Sequence, residues 1–367
     1  GDLAPDKGAD RIVTLLCGFA PERMERAAAA LGPDRAVVLA SAGAALADRY
    51  TDHAAELLAR LQALFRERPA KPMVQLLVPL DGEEALLEGL GGLLRSAVQE
   101  RPGLRCQTIA VADPAADLAA LARAEQASED ADIRHTAQGR QVRHWREIAA
   151  PAQPVAPAWK PGGVYLVTGG AGGIYAAHGH LDGVVHAAGI TRDKLLVRKE
   201  AAELRAVLAP KVAGLANLDA ALGGRPLGFL LLFASAAGAL GNAGQADYAA
   251  GNAFLDGFAA HRNLLTARGD RQGRTLSIDW PYWRAGGMDM AETARIASAP
   301  LRERALGFVS RHVGAALNIP AEKLDPDSTL DRYGIDSVSA LQIVEAMERE
   351  LGPLPATLLL EYPKLSA

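Results

Sequence analysis

Residues 230–256 read LLLFASAAGALGNAGQADYAAGNAFLD, and the fold turns on them. Phe229 to Phe233 form a short, unbroken apolar run, the pattern of a strand buried on both faces of a parallel sheet. Ser235 follows at once, and in open α/β sheets ligands bind beyond the carboxyl ends of the strands. Gly238, Gly241 and Gly244 mark a loop, after which Tyr248 to Phe258 has helical spacing. Tyr248 and Asn252 stand four residues apart, on one helix face, so both can point at one substrate. A phenol with a pKa near ~10 is a poor acid until a cation stabilises the phenolate. Lys211, in Pro210-Lys211-Val212-Ala213-Gly214, is the candidate cation. Singly these are common surface, turn or cap residues. Their joint arrangement carries the reading.

Upstream, Pro151, Pro154, Pro157 and Pro161 mark a linker, and Val164 to Thr168 is a strand running into Thr168-Gly169-Gly170-Ala171-Gly172-Gly173-Ile174. Glycines there let backbone approach a pyrophosphate, and the following helix offers its N-terminal amides to it. Leu181 to Val185 leads into His186-Ala187-Ala188-Gly189, small residues that admit a ribose and nicotinamide. The spacing is short: 12 residues lie between Gly173 and His186, whereas one βαβ unit takes roughly 30. Residues are therefore absent between Ile174 and Tyr175, either deleted or disordered and left out of view. A second abrupt junction falls between about Met290 and Pro300.

The order Lys211, Ser235, Tyr248, Asn252 resembles the ketoreductase domains of modular polyketide synthases, a branch of the short-chain dehydrogenase/reductases. In that branch Asn follows Tyr by four positions and Lys comes earlier in the chain; most relatives place Lys four residues after Tyr. The resemblance implies catalysis by Lys211, Ser235, Tyr248 and Asn252. It also implies NADPH held by Thr168, Gly169, Gly170, Gly172, Gly173, Ile174, His186, Ala187, Ala188, Gly189, Lys211, Tyr248 and Pro281. The family pattern puts Gly after Ile174, where Tyr175 stands. Asp193 occupies the last position of a Leu-Asp-Asp-like motif of B-type ketoreductases, and Leu240 replaces the A-type tryptophan eight residues before Tyr248. The implied product is a D-configured β-hydroxyl; the alternative role for Asp193 is a helix cap.

Residues 1–150 alternate strand and helix: Ile12 to Gly18, a helix from Pro21, Ala36 to Ala40, a helix from Asp52 to Arg68, Met73 to Leu80, a helix from Glu83 to Glu100, Cys106 to Ala112, and a helix from Ala115. This is α/β with a parallel sheet. Gly89-Leu90-Gly91-Gly92 fails as a dinucleotide loop. The strand ending near Leu80 runs into Asp81-Gly82-Glu83-Glu84, whose carboxylates repel a pyrophosphate, and the glycines fall inside helical periodicity, where close helix packing explains them. This half resembles the structural subdomain of polyketide synthase ketoreductases, Rossmann-like without cofactor, closed by a hairpin or strand at Gly139 to Trp145.

At the other end, Leu306, Val309, Val313 and Leu317 make a helical stripe. After Asp325-Pro326-Asp327-Ser328 comes Gly334-Ile335-Asp336-Ser337-Val338-Ser339-Ala340-Leu341, with Ala340, Ile343, Val344, Met347 and Leu351 forming an amphipathic helix. An Asp-Ser pair here is ordinarily an N-cap. The surrounding pattern, with Leu354-Pro355-Ala356-Thr357-Leu358 and Glu361-Tyr362-Pro363, resembles polyketide synthase acyl carrier domains, in which this Ser, here Ser337, carries 4′-phosphopantetheine. A phosphodiester is favoured at a helix N-terminus. The last helix of such a carrier is expected past Leu365, so the carrier reads as trimmed.

The expected architecture is α/β: two Rossmann-like parallel-sheet subdomains, structural over 1–150 and catalytic over 151–297, followed by a small all-α helical-bundle carrier over 298–367. The implied partners are a β-ketoacyl chain on the carrier, the ketosynthase and a separately encoded acyltransferase of an assembly line, and a phosphopantetheinyl transferase. Two rivals remain: a catalytically silent scaffold serving as a carrier and docking module, and a free-standing short-chain dehydrogenase acting on a small alcohol.

Totals add little. A hydrophobic fraction of 49%, 22% charged residues and net charge −4 give no electrostatic reason to invoke nucleic acid. No run approaches the ~18 apolar residues of a membrane span, and a cytoplasmic setting is the default. Cys17 and Cys106 read as buried free thiols, since two cannot make a disulfide framework. His178, His180 and His186 lack a carboxylate or Cys to complete a ligand set, so no metal is expected.

Overall fold

The computed structural model describes residues 9–67, 69–148, 159–168, 180–281, 305–317, 319–335, 337–351, 358–361 and 364. Gly1–Thr293 and Ala294–Ala367 form separate compact units.

The first unit holds two sheets. One has six strands in the order β2-β1-β3-β4-β5-β6, namely β1 (Arg11–Leu16), β2 (Ala36–Val38), β3 (Pro72–Pro79), β4 (Arg105–Val111), β5 (Asp132–Thr136) and β6 (Gly139–Val142). All pairs are parallel except β5 with β6, the hairpin read at Gly139. Helices α1 (Pro21–Leu31), α2 (Leu46–Glu67), α3 (Gly91–Glu100) and α4 (Leu118–Glu125) connect them. Helix α2 starts six residues before the expected Asp52, because Leu46, Ala47 and Tyr50 extend its buried stripe of Leu57, Leu58, Leu61 and Leu64.

The helix expected over Glu83 to Glu100 is two pieces, a 3-10 segment Glu83–Leu90 and then α3. The glycines explain the break. A Cβ on Gly89 would lie 2.8 Å from Tyr50 Oη and 2.9 Å from Phe254 N, and one on Gly92 would lie 2.5 Å from the Ala249 carbonyl oxygen. Backbone here meets backbone of the second half, and only Gly fits. Tyr50 Oη adds a hydrogen bond of 2.8 Å to the Ala250 carbonyl. Cys17 is buried and Cys106 half-buried, both as free thiols whose pKa is pushed up by burial.

The second sheet has four parallel strands in the order β10-β9-β8-β7: β7 (Tyr165–Thr168), β8 (Gly183–His186), β9 (Phe229–Ser235) and β10 (Arg274–Trp280). Helices α5 (Ala201–Lys211) and α6 (Ala213–Leu222) lie between β8 and β9; α7 (Ala236–Leu240) and α8 (Ala246–Arg268) follow β9. Strand β9 is buried on one face only: Leu230, Leu232 and Ala234 are buried, while Phe229, Leu231 and Phe233 are half-buried. The thinly covered face carries Val167 and Leu276, each 49% exposed.

That bare face follows from the short β7–β8 connection. Fourteen residues, 169–182, join two directly paired parallel strands, enough for one crossover. Strand β7 is consequently the sheet edge, and further strands beyond it have no counterpart among the described residues. The polypeptide is continuous from Ile174 to Tyr175. Of the two explanations for the short spacing, disorder left out of view is therefore excluded, and the segment is absent from the chain. The glycine turn itself and the junction between Met290 and Pro300 lie outside the described residues.

The second unit is helical over 305–317 (α9), Ser337–Leu351 (α10) and Leu358–Glu361 (α11), with 3-10 turns at Ala321–Lys323 and Leu330–Tyr333. Val313, Leu324, Leu330, Ala340, Ile343, Val344, Met347 and Leu359 form its core. Among the described residues no helix is long and apolar enough to cross a membrane.

Candidate active site

The carboxyl ends of β7, β8 and β9 meet helices α5 and α8, and the residues singled out from sequence gather there. Ser235 ends β9 and caps α7, its Oγ accepting from Ala237 N at 3.3 Å. It is both the cap that a lone Ser predicts and a neighbour of Tyr248. The Tyr248 hydroxyl is raised above its ordinary pKa, mainly by burial, while hydrogen bonds from Asn252 and Ser235 pull the other way and Asp193 adds a further upward push. Three side chains, those of Asn252, Ser235 and Asp193, thus act on one phenol.

Asn252 is fully buried. Its Nδ2 donates to the Tyr248 carbonyl at 2.7 Å, and its Oδ1 has no hydrogen-bond partner among the described residues. Lys211, at the end of α5, donates to the Phe233 carbonyl at 3.0 Å and places its ammonium 5.6 Å from the centre of the Tyr248 ring. Burial pushes Lys211 down to about 8, against the opposing pull of Asp256 and Asp279. Without those two carboxylates the buried ammonium would be harder to keep charged. Neither was singled out from sequence. Asp256 continues the four-residue spacing of Tyr248 and Asn252 on α8, a signal that was available. Asp279, on β10, is brought in only by the β9–β10 pairing.

His186 ends β8 with Nε2 3.1 Å from the Pro210 carbonyl and Nδ1 2.7 Å from Thr168 Oγ1. A carbonyl only accepts, so Nε2 carries the proton and Nδ1 accepts from the Thr168 hydroxyl. Burial first, then Lys211, push His186 down to about 4, which keeps it neutral. It ties β7, β8 and α5 together at the site. Ala187 and Gly189 are exposed just beyond it; a Cβ on Gly189 would stand 3.1 Å from Lys211 Cε. Pro281 is exposed at the exit of β10.

These features fit the nicotinamide and ribose end of a dinucleotide: an open small-residue floor, a buried cation, and a buried amide oxygen awaiting a donor. Gly169, Gly170, Gly172, Gly173 and Ile174, which would meet the pyrophosphate, lie outside the described residues. Asp193 accepts from Gln245 Nε2 at 2.9 Å and caps no helix. Leu240, 57% exposed, closes α7.

In the second unit, Gly334 takes a left-handed conformation (φ 78°) and turns the chain just before α10, whose first residue is Ser337.

A family model described as KR domain matches residues 175–285, and one described as Phosphopantetheine attachment site matches residues 308–367. The chain is 31% identical over 354 residues to Polyketide synthase PksN of Bacillus subtilis (strain 168), taking in 78% of this chain and 6% of that protein. It is 32% identical over 328 residues to Polyketide synthase ThaG of Burkholderia thailandensis, taking in 70% of this chain and 6% of that protein. The chain thus spans about 6% of the length of these relatives. The alignment with PksN is longer than the 78% of a 367-residue chain it takes in, so several tens of positions in that relative lack a counterpart here. Among solved structures, a ketoreductase domain from the bacillaene assembly line superposes with a TM-score of 0.71 at 27% identity, over 82% of this chain and 88% of that one. The first ketoreductase of the tylosin polyketide synthase shares the fold, with a TM-score of 0.58 at 21% identity.

Proposed function

We propose, from the premise that this chain carries a ketoreductase domain followed by a phosphopantetheine carrier domain of the bacterial polyketide-synthase kind, that it reduces a β-ketoacyl thioester to the β-hydroxyacyl thioester with NADPH. The observation that carries this reading is the convergence of Ser235, Asn252 and Lys211 on Tyr248.

Ketoreductase domains take NADPH, which supplies hydride to the β-carbon; Lys211, Tyr248 and the floor at His186 to Gly189 would hold its nicotinamide-ribose end. Tyr248 gives its hydroxyl proton to the developing alkoxide, and Ser235 holds that oxygen by hydrogen bond. Lys211 stabilises the phenolate left behind. Asn252, with its free Oδ1, orients a donor in the buried space beside Tyr248. Ser337 carries the 4′-phosphopantetheine arm that presents the thioester. Its acyl chain arrives from a ketosynthase and an acyltransferase acting in trans, after priming by a phosphopantetheinyl transferase. Asp193 and Leu240 favour the D-configured, B-type product.

Tyr248→Phe tests the assignment: reduction of a β-ketoacyl-pantetheine thioester should fall by roughly 100- to 10,000-fold, the range for losing a positioned acid, with the fold retained. Retained turnover would sink it. A second reading, a silent reductase scaffold beside a working carrier, is favoured by one observation, the sheet edge at β7 where the nucleotide half should continue. NADPH titration separates the two, since a silent scaffold binds none.

A further inference from the structure

Helix α3 belongs to the sheet that carries no candidate catalytic residue, yet its polar face is laid along the loop between Ser235 and Tyr248. Arg95 Nη2 donates to the Gly238 carbonyl at 2.8 Å, and Gln99 Nε2 to the Leu240 carbonyl at 2.9 Å. In return Asn242 N donates to Ser96 Oγ at 3.1 Å, and Ala243 N to Gln99 Oε1 at 3.2 Å. Gly241, at φ 77°, has room for no Cβ: one would lie 2.6 Å from the Arg95 carbonyl carbon. The loop therefore rests directly on α3 backbone.

Glu100, the last residue of α3, does more than its neighbours. Its Oε1 accepts from Gly244 N at 2.9 Å and its Oε2 from Leu196 N at 2.6 Å. One carboxylate thus holds two loops that are far apart in sequence and that flank Tyr248. The first loop carries Asp193, whose charge acts on the Tyr248 hydroxyl; the second runs straight into the first turn of α8. The loops are also tied to each other, by Lys194 N to the Gly244 carbonyl at 2.8 Å and by Gln245 Nε2 to Asp193 at 2.9 Å. Beneath them Lys199 and Asp247 form a buried ion pair at 2.8 Å, and Gln62 Nε2 of α2 donates to the Leu196 and Lys199 carbonyls. Burial pushes the Glu100 carboxyl up to about 7 while the Gly244 and Leu196 N–H groups pull it back down, and as a carboxylate accepting both it has only one well-satisfied placement.

We propose that Glu100 is a positioning residue of the reductase site: by bridging Leu196 and Gly244 it fixes Asp193 and the start of α8 relative to Tyr248, and so sets the face on which the ketone is presented. This rests on the reductase reading above. Gln at this position matches the shape but turns one acceptor into a donor facing an N–H. The test compares wild type, Glu100→Gln, Glu100→Ala and the milder Gln99→Leu, each as the full chain. It uses an α-methyl-β-ketoacyl-pantetheine thioester with NADPH, follows thermal unfolding, and reads amide hydrogen exchange at residues 193–196 and 240–248. Glu100→Gln should stay folded, raise KM or lower kcat/KM by about tenfold, as loss of one charge-assisted hydrogen bond implies, and erode the product's diastereomer ratio. Exchange at Leu196 and Gly244 should accelerate together, and Gln99→Leu should show the same changes more weakly.

Folded Glu100 variants with wild-type diastereomer ratio and KM overturn the inference even if exchange accelerates, because the residue is then only structural. If wild type itself reduces nothing, the reductase reading fails. Exchange then reports on the bridge alone: joint acceleration at Leu196, Gly244 and the first turn of α8 supports Glu100 as the tie between the two loops, and unchanged exchange overturns it.

Discussion

Lys211 and its two carboxylates show how the site sets its charges. Burial lowers the Lys211 pKa to about 8, and Asp256 and Asp279 limit the fall. The same burial raises Asp279 to about 7, with Asp256 as the next cause, and raises Asp256 although Ser277 Oγ donates to it at 2.6 Å. A carboxyl whose folded pKa is raised from 3.8 holds its proton in the native state after the unfolded chain has lost its own. Its stabilising contribution is fully present below about pH 4 and is lost as pH rises through about 7. Asp279→Asn should therefore flatten the decline in stability between those pH values, measured by urea unfolding across the range; an unchanged slope would contradict the burial of this group. Asp256 and Asp279 were not singled out from sequence, whereas Ser235, Tyr248 and Asn252 were legible there for a physical reason: they are set by local spacing along one strand end and one helix. Glu100 was not legible, because its partner Gly244 lies 144 residues away and only the packing of the two halves joins them.

At the scale of elements, the α3–α8 contact carries the site. Gly92 meets the Ala249 carbonyl, one residue from Tyr248, with no room for a methyl group. Gly92→Ala should cost about 1–3 kcal/mol, the range for overpacking, and lower kcat by displacing the start of α8; denaturant melts with steady-state kinetics check both. Helical periodicity places these glycines in helix packing, which the contacts bear out, but it predicts one helix running through them where there are two pieces. Three glycines in four residues weaken a helix, and close backbone approach then sets where it breaks. The far end of α8 depends on a different device. Arg262, almost fully buried, donates to Asp219 at 2.7 Å, to Thr275 Oγ1 at 3.0 Å and to the Gly273 and Gln272 carbonyls. Arg262→Leu leaves Asp219 with Arg271 alone and should cost about 3 kcal/mol, seen as a lower urea midpoint with kinetics of the remaining folded enzyme unchanged.

Across the whole chain, the parallel sheets and the helical second unit followed from alternating apolar periods, and the ketoreductase and carrier identities from short motifs. What the motifs could not convey is the consequence of the short β7–β8 connection. It leaves β7 as an edge and one face of the second sheet thinly covered, while the Lys211, Ser235, Tyr248 and Asn252 cluster stays assembled. Among the described residues, those that fit a cofactor would meet its nicotinamide-ribose end. We propose that this cluster reduces its substrate with NADPH despite the short connection. The most direct measurement is the loss of NADPH absorbance on adding a β-ketoacyl-pantetheine thioester to the full chain, with Tyr248→Phe alongside. Oxidation by wild type and none by Tyr248→Phe is the predicted result; no oxidation by wild type, together with no NADPH binding by titration, would contradict it and leave Ser337 as the functional site.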